Sequence, residues 1–115
     1  MIKEPRIFIE DIWEAIEAIE SFMSGKSRED FLNSIQLQWA AIRGLEIIGE
    51  ATKNLPEKFR KKYPQISWRQ LAGMRDKLIH GYFRVDLELV WKVIQRDIPD
   101  LRKELSKIRE QLNND

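Results

Sequence analysis

The sequence predicts an all-α protein, an up-and-down bundle of four to five helices. Apolar residues recur at three- and four-residue intervals through most of the chain, the period of one helical face. Glycine and proline fall between those runs, where helices end. No run reads as a strand, and no internal repeat or low-complexity tract is evident.

The first helix opens near Pro5, a residue tolerated in a first turn, and stops before Gly25. Its apolar stripe is Phe8, Ile12, Ile16, Ile19 and Met23, widened by Ile9, Trp13 and Phe22 beyond what one core contact requires. Ser27 is placed to cap a second helix, with Glu29 and Asp30 favourable in its first turn. That helix is expected to run through Phe31, Ile35, Trp39, Ile42, Leu45 and Ile48 to about Lys53. Gly44 and Gly49 each cost it roughly 1 kcal/mol relative to alanine. Close approach of another backbone would account for them, as would simple tolerance.

Asn54-Leu55-Pro56 breaks the pattern, and Glu57 to Lys62 fits a short helical turn before Pro64. Ser67 and Gln70 then have the spacing of a capping box. A third main helix is expected from there to about Ile79 or His80, with Gly81 as terminator. Asp86 can cap the last helix, whose apolar positions run from Leu87 to Leu112. Pro99 removes one backbone donor, so a kink is expected near Gln95 to Ile98.

Composition narrows the function classes. At 115 residues, 43% hydrophobic and 34% charged, the chain suits a single globular domain, residues 1–115. It has no cysteine, which excludes disulfides and thiolate metal sites and fits a reducing cytoplasm. The N-terminal stretch alternates acids with apolar residues, so neither a signal peptide nor a membrane span is expected there. Net charge is +1 overall but unevenly spread. Residues 1–52 are net −5 and residues 85–115 net −1. Residues 53–84 hold nine bases and two acids, net +7. A polyanion would be drawn to that middle third. A solvated helix face with a lysine-rich loop gives the same count, and charge alone does not decide between them.

The only histidine, His80, closes that basic segment. On a continuous helix Asp76 and His80 (i, i+4) share a face, so the carboxylate could orient the imidazole. The helix end and Asp76 favour imidazolium while Arg75, Lys77 and Arg84 oppose it, leaving the direction of the net shift open. Arg75 would sit about 140° from His80 on an ideal helix, so the two diverge within one subunit. Two subunits paired along this helix would bring an arginine and a histidine from each into one cleft. RNA cleavage by the 2′-hydroxyl needs a base, an acid and cation donors for the phosphorane, which histidine and arginine supply. Each residue has a plainer account: His80 as a helix-end cap, Arg75 with Asp76 as a surface ion pair, Tyr82 and Phe83 as loop packing. One histidine and scattered carboxylates make a poor metal site, and no phosphate-binding loop or serine nucleophile motif is present.

Arg75-x-x-x-x-His80-x-Tyr82 resembles the R-x-x-x-x-H-x-Y motif of HepT-like toxins in the HEPN superfamily. The resemblance extends from about Ala40 to Leu105 and includes AIRGLEIIGEA (Ala41 to Ala51), ISWRQLAGMRDKLIHGYF (Ile66 to Phe83) and VDLELVWKVIQRDIPDLRKEL (Val85 to Leu105). It implies a homodimeric helical domain with the motif helices at the interface, and a metal-independent endoribonuclease that needs no cofactor. Arg75 and His80 match the catalytic pair, and Asp76 the polar residue that supports it. The resemblance also implies a toxin–antitoxin pair, in which a minimal nucleotidyltransferase transfers AMP to Tyr82. Each adenylate would place anionic phosphate where the RNA backbone should lie. Lys77 and Arg84, with Lys58, Lys61 and Lys62 further off, are the expected RNA-binding residues. A catalytically silent helical subunit that binds a nucleotidyltransferase is the alternative.

Overall fold

The computed structural model describes residues 4–80 and 84–114, and they are predominantly helical. The helices are more numerous than the four to five expected, because two of the predicted ones are interrupted.

Helix α1 (Pro5–Met23) has its proline in the first turn and ends where Gly25 takes a φ of +75°, a left-handed conformation natural to glycine. Its buried face is Ile9, Ile12, Ala15, Ile16, Ile19 and Met23. The expected stripe is buried from Ile12 to Met23, while Phe8 is only half-buried and Ile9, expected to widen the stripe, is fully buried. Trp13 is covered from within the chain: the guanidinium groups of Arg102 and Arg109 lie 4.6 Å and 4.3 Å from its ring centroid.

The expected single helix from Ser27 to Lys53 is two helices. Ser27 caps α2 (Arg28–Leu32) in a capping box: its hydroxyl accepts from the Asp30 N–H at 3.1 Å, and the Asp30 carboxylate accepts from the Ser27 N–H at 2.9 Å. The helix stops at Asn33, and Ser34 caps a new start by accepting from the Leu37 N–H at 3.1 Å. The Gln38 side-chain amide donates to the Phe31 and Leu32 carbonyls, each at 3.0 Å, which satisfies the end of α2 and stabilises the break.

Helix α3 (Ile35–Asn54) packs most extensively against α1. Its glycines sit at close approaches. A Cβ on Gly44 would fall 2.7 Å from the buried Ile19 side chain, and one on Gly49 would fall 3.1 Å from the Leu71 carbonyl oxygen. After Pro56 come α4 (Glu57–Lys61), which buries Phe59, and α5 (Trp68–Ala72). The Trp68 indole N–H lies 3.1 Å from the Arg60 carbonyl and 3.0 Å from the Tyr63 carbonyl, tying the two together. The capping box expected at Ser67 does not form. Ser67 has a ψ of 72° and makes no side-chain cap.

The third main helix is also broken. Gly73 donates its N–H to Arg69 at 3.0 Å, ending α5, and accepts from the Lys77 N–H at 3.1 Å, starting α6 (Met74–Leu78). The chain then leaves the helix altogether. Ile79–His80 (β1) pairs antiparallel with Arg84–Val85 (β2), in the register Ile79↔Val85 and His80↔Arg84. The expectation of no strand therefore fails at this one short hairpin.

The last helix starts at Asp86, whose carboxylate accepts from the Leu89 N–H at 3.0 Å. It runs as α7 (Leu87–Lys92), a π-helical turn over Val93–Asp97, and α8 (Ile98–Asn113). Where the kink is expected, near Gln95 to Ile98, the ladder widens to an i→i+5 bond from the Ile98 N–H to the Val93 carbonyl, just ahead of the donor-less Pro99. Helix α8 runs antiparallel to α1. Glu10 pairs with Arg109 (3.0 Å), Glu20 with Arg102 (2.6 Å), and Arg6 donates to the Leu112 carbonyl (2.6 Å). These part-exposed pairs set register more than stability. No helix of the described residues is long and apolar enough to cross a membrane.

Candidate functional site

The corner where α6 passes into β1 carries most of the residues singled out by sequence. Arg75, Asp76 and Lys77 lie on α6, His80 on β1 and Arg84 on β2. Tyr82 lies outside the described residues. Of Arg75, His80 and Arg84 the backbone placement is what the structure describes.

That placement corrects the helical geometry read from the sequence. With α6 ending at Leu78, His80 is not one turn beyond Asp76 on a helix, and the 140° separation from Arg75 does not apply. Instead the register sets His80 directly opposite Arg84. Opposed residues of an antiparallel pair have Cα atoms about 4.5–5.5 Å apart. The only histidine thus stands across the hairpin from an arginine, a pairing that helical periodicity could not reveal. The signal for it was the spacing H-x-x-x-R around Gly81: a three-residue, glycine-containing connection is a hairpin length.

The hairpin is clamped at its base. On α6, Met74 and Leu78 are 6% and 2% exposed, so the helix is anchored by its apolar side. The Leu78 carbonyl accepts from the Asp86 N–H at 3.0 Å, closing the ladder beyond Ile79↔Val85. Asp86 in turn caps α7. That helix is held to α2 by Phe31 against Trp91, ring centroids 5.8 Å apart, and by the Arg28–Glu88 ion pair. The Glu88 carboxylate raises the pKa of the Arg28 guanidinium above its ordinary value, by hydrogen bond and by charge. Sequence reasoning missed Gly73, Leu78 and Val85 as positioning elements. Gly73, read as helix interior, was the available signal for a break.

Asp76 and Lys77 are exposed, and Asp76 is not a free carboxylate. Lys77 stands at the rim of a cleft it shares with Asp97, Asp100 and Glu104. The remaining lysines are not gathered at the corner. Lys58 and Lys61 are on α4 and Lys62 follows it, beyond the C-terminal end of α3, with α5 and α6 intervening along the chain before β1. All three are exposed, and Lys61 pairs loosely with Glu57 at 3.6 Å. They lie on and just after α4, on a different element from the α6–β1 corner.

Ten residues of chain at this corner thus hold one histidine, two arginines and a lysine. Known proteins place the chain in a family. The family model described as "Ribonuclease HepT-like" matches residues 12–108. The chain is 50% identical over 109 residues to "Probable ribonuclease HepT" of Thermococcus cleftensis, covering 95% of this chain and 99% of that one. A candidate RNase of Caldanaerobacter subterraneus subsp. tengcongensis is 45% identical over 107 residues, 93% of this chain and 96% of the relative. A Methanocaldococcus jannaschii protein, named as a gamma-glutamylcyclotransferase and candidate RNase, is 50% identical over 113 residues. This chain covers 98% of its own length in that match but only 51% of the relative's. No solved structure matches. With a family model spanning most of its length and relatives matched nearly end to end, the chain belongs to the HepT-like ribonuclease family.

Proposed function

We propose that the protein is a metal-independent endoribonuclease, the toxin of a toxin–antitoxin pair acting in the cytoplasm, with residues 1–115 as one HEPN-like domain. The observation that carries this reading is the Arg75-x-x-x-x-His80-x-Tyr82 run at the α6–β1 corner of a chain in a ribonuclease family. In the reaction His80 takes the proton of a ribose 2′-hydroxyl. The freed oxygen attacks the adjacent phosphorus, and the bond to the 5′-oxygen breaks as that oxygen takes a proton from the imidazolium of the second copy in the shared cleft. The products are a 2′,3′-cyclic phosphate and a 5′-hydroxyl. Arg75 stabilises the charge on the phosphorane, Asp76 orients the imidazole, and Lys77 and Arg84 hold the strand. Lys58, Lys61 and Lys62 extend the contact to flanking RNA.

The working unit is a homodimer whose two motif corners share a cleft. Support comes from Ile35 and Trp39, 63% and 72% exposed on successive turns of α3. Large apolar side chains left on one face mark an interaction surface. The neutralising partner is a minimal nucleotidyltransferase that transfers AMP to Tyr82, adding negative charge beside the phosphate-binding cations.

Incubation of the unmodified protein with labelled total RNA in EDTA tests the reading. Fragments ending in 2′,3′-cyclic phosphate are expected. Absence of cleavage by protein whose mass shows no adenylate would instead assign the chain as a silent binding subunit of a nucleotidyltransferase complex.

A further inference from the structure

On another side of α6 runs a cleft of about 380 Å³, between α5–α6 and the stretch from the π turn into α8. Its floor is apolar: Leu71, Met74, Val93 and Leu101 keep 6–7% exposure there, and Leu78 2%, whereas Ile12, Ile16 and Ile48 keep none. The opposite lip, from the end of the π turn into α8, carries Asp97, Asp100 and Glu104, at i, i+3 and i+7. The facing lip is neutral at Gln65, Ser67 and Gln70, with Lys77 as its cation. Glu104 is paired with Lys107 on its own helix at 3.4 Å. Among the described residues Asp97 and Asp100 make no ion pair.

The charge selects the occupant. An RNA strand is repelled by this lip, so the cleft is not a continuation of the RNA path. A neutral apolar ligand would leave two exposed carboxylates partly desolvated and unpaired. An amphipathic segment with basic residues satisfies both lip and floor, and the volume lies at the small end of the roughly 300–1,000 Å³ range of ligand pockets, enough for a few aliphatic side chains. We propose that the cleft docks a basic, leucine-bearing segment of a partner protein, its apolar side chains on Met74 and Leu101 and its lysines or arginines on Asp97 and Asp100. Such a segment is read as a helix in a groove. Because Met74, Lys77 and Leu78 belong to α6, the occupant bears on the helix that carries Arg75.

A fluorescein-labelled amphipathic peptide of leucine and lysine serves as the probe, with its leucine–glutamate counterpart as control. Anisotropy should show binding of the lysine peptide only, and amide shifts should cluster on α6, the π turn and α8. The double substitution Asp97→Asn/Asp100→Asn should weaken binding about tenfold, and Gln70→Glu on the facing lip should tighten it about threefold. Both variants are at exposed positions, and circular dichroism checks their fold. Failure of the lysine peptide to bind, equal binding of the glutamate peptide, or affinity unmoved by both variants overturns the proposal. So do cleft shifts that appear on raising protein concentration alone, which would make the groove a face between copies.

Discussion

Gly49 is where α3 meets the backbone of the α5 helix, and substituting it gives a quantitative test. Alanine in place of glycine inside a helix is worth about 1 kcal/mol of stability in the absence of other effects. At Gly49 the new Cβ would lie 3.1 Å from the Leu71 carbonyl oxygen and 3.6 Å from that of Ala72. Comfortable carbon contacts begin at about 3.5 Å, so α5 must retreat by a few tenths of an ångström. A backbone carbonyl cannot rotate away as a side chain can, and α5 is tied behind by the Trp68 indole to the Arg60 and Tyr63 carbonyls. Overpacking of this kind costs about 1–3 kcal/mol. Gly49→Ala should therefore be neutral to about 2 kcal/mol destabilising, and Gly49→Val, with branched carbons in the same gap, should lose about 3 kcal/mol. Urea unfolding followed by circular dichroism gives the stabilities. Exchange of the Asp86 amide, bonded to Leu78, reports whether the shift of α5 reaches the hairpin. A gain of the full 1 kcal/mol in Gly49→Ala would refute the packing argument, since it would mean that α5 does not press on α3.

Three further outcomes follow from the same structure. Leu78→Ala removes the 2%-exposed anchor of α6 and should cost about 2–5 kcal/mol by urea unfolding, and a loss below 1 kcal/mol would show that α6 is held elsewhere. The Ser27 backbone N–H and hydroxyl hold the Asp30 carboxyl below the usual carboxylate range. A depressed folded-state pKa means the capping box stabilises above about pH 4 and loses that contribution as pH falls further, so the stability gap between wild type and Asp30→Ala should close on acidification; a gap that persists to pH 2 contradicts this. Trp39→Lys, at a 72%-exposed position, should leave the fold intact and weaken dimerisation about thirtyfold by light scattering; an unchanged mass at low concentration would place the interface elsewhere.

The helical class and most helix boundaries were legible because the 3.6-residue period is a direct imprint of burial. Pro5, Gly25, Ser27, Pro56 and Asp86 all mark ends where the chain has them. The missed breaks share a cause. At Asn33–Ser34 and at Gly73 the apolar period continues across the interruption, so periodicity outvoted the capping serine and the glycine. Ser67 shows the converse, a capping-box spacing that goes unused: its backbone sits at a ψ of 72°, away from the extended conformation of a capping serine. Trp13 argued for surplus apolar surface, but two arginines 89 and 96 residues away in sequence cover it, a tertiary contact no local pattern contains. At the corner, the residue types in Arg75 to Arg84 were readable, but not their arrangement. A two-residue strand on either side of a short connection is too brief for period-two alternation to register.

The central claim is that the α6–β1 corner cleaves RNA, and His80→Ala tests it most directly. Wild type and variant, matched in helical content by circular dichroism, are compared for cleavage of labelled RNA in EDTA. Loss of a proton-transfer group predicts a fall of about 10²–10⁴-fold in rate with RNA binding retained. Cleavage by the variant at the wild-type rate would contradict the account and move the chemistry away from His80.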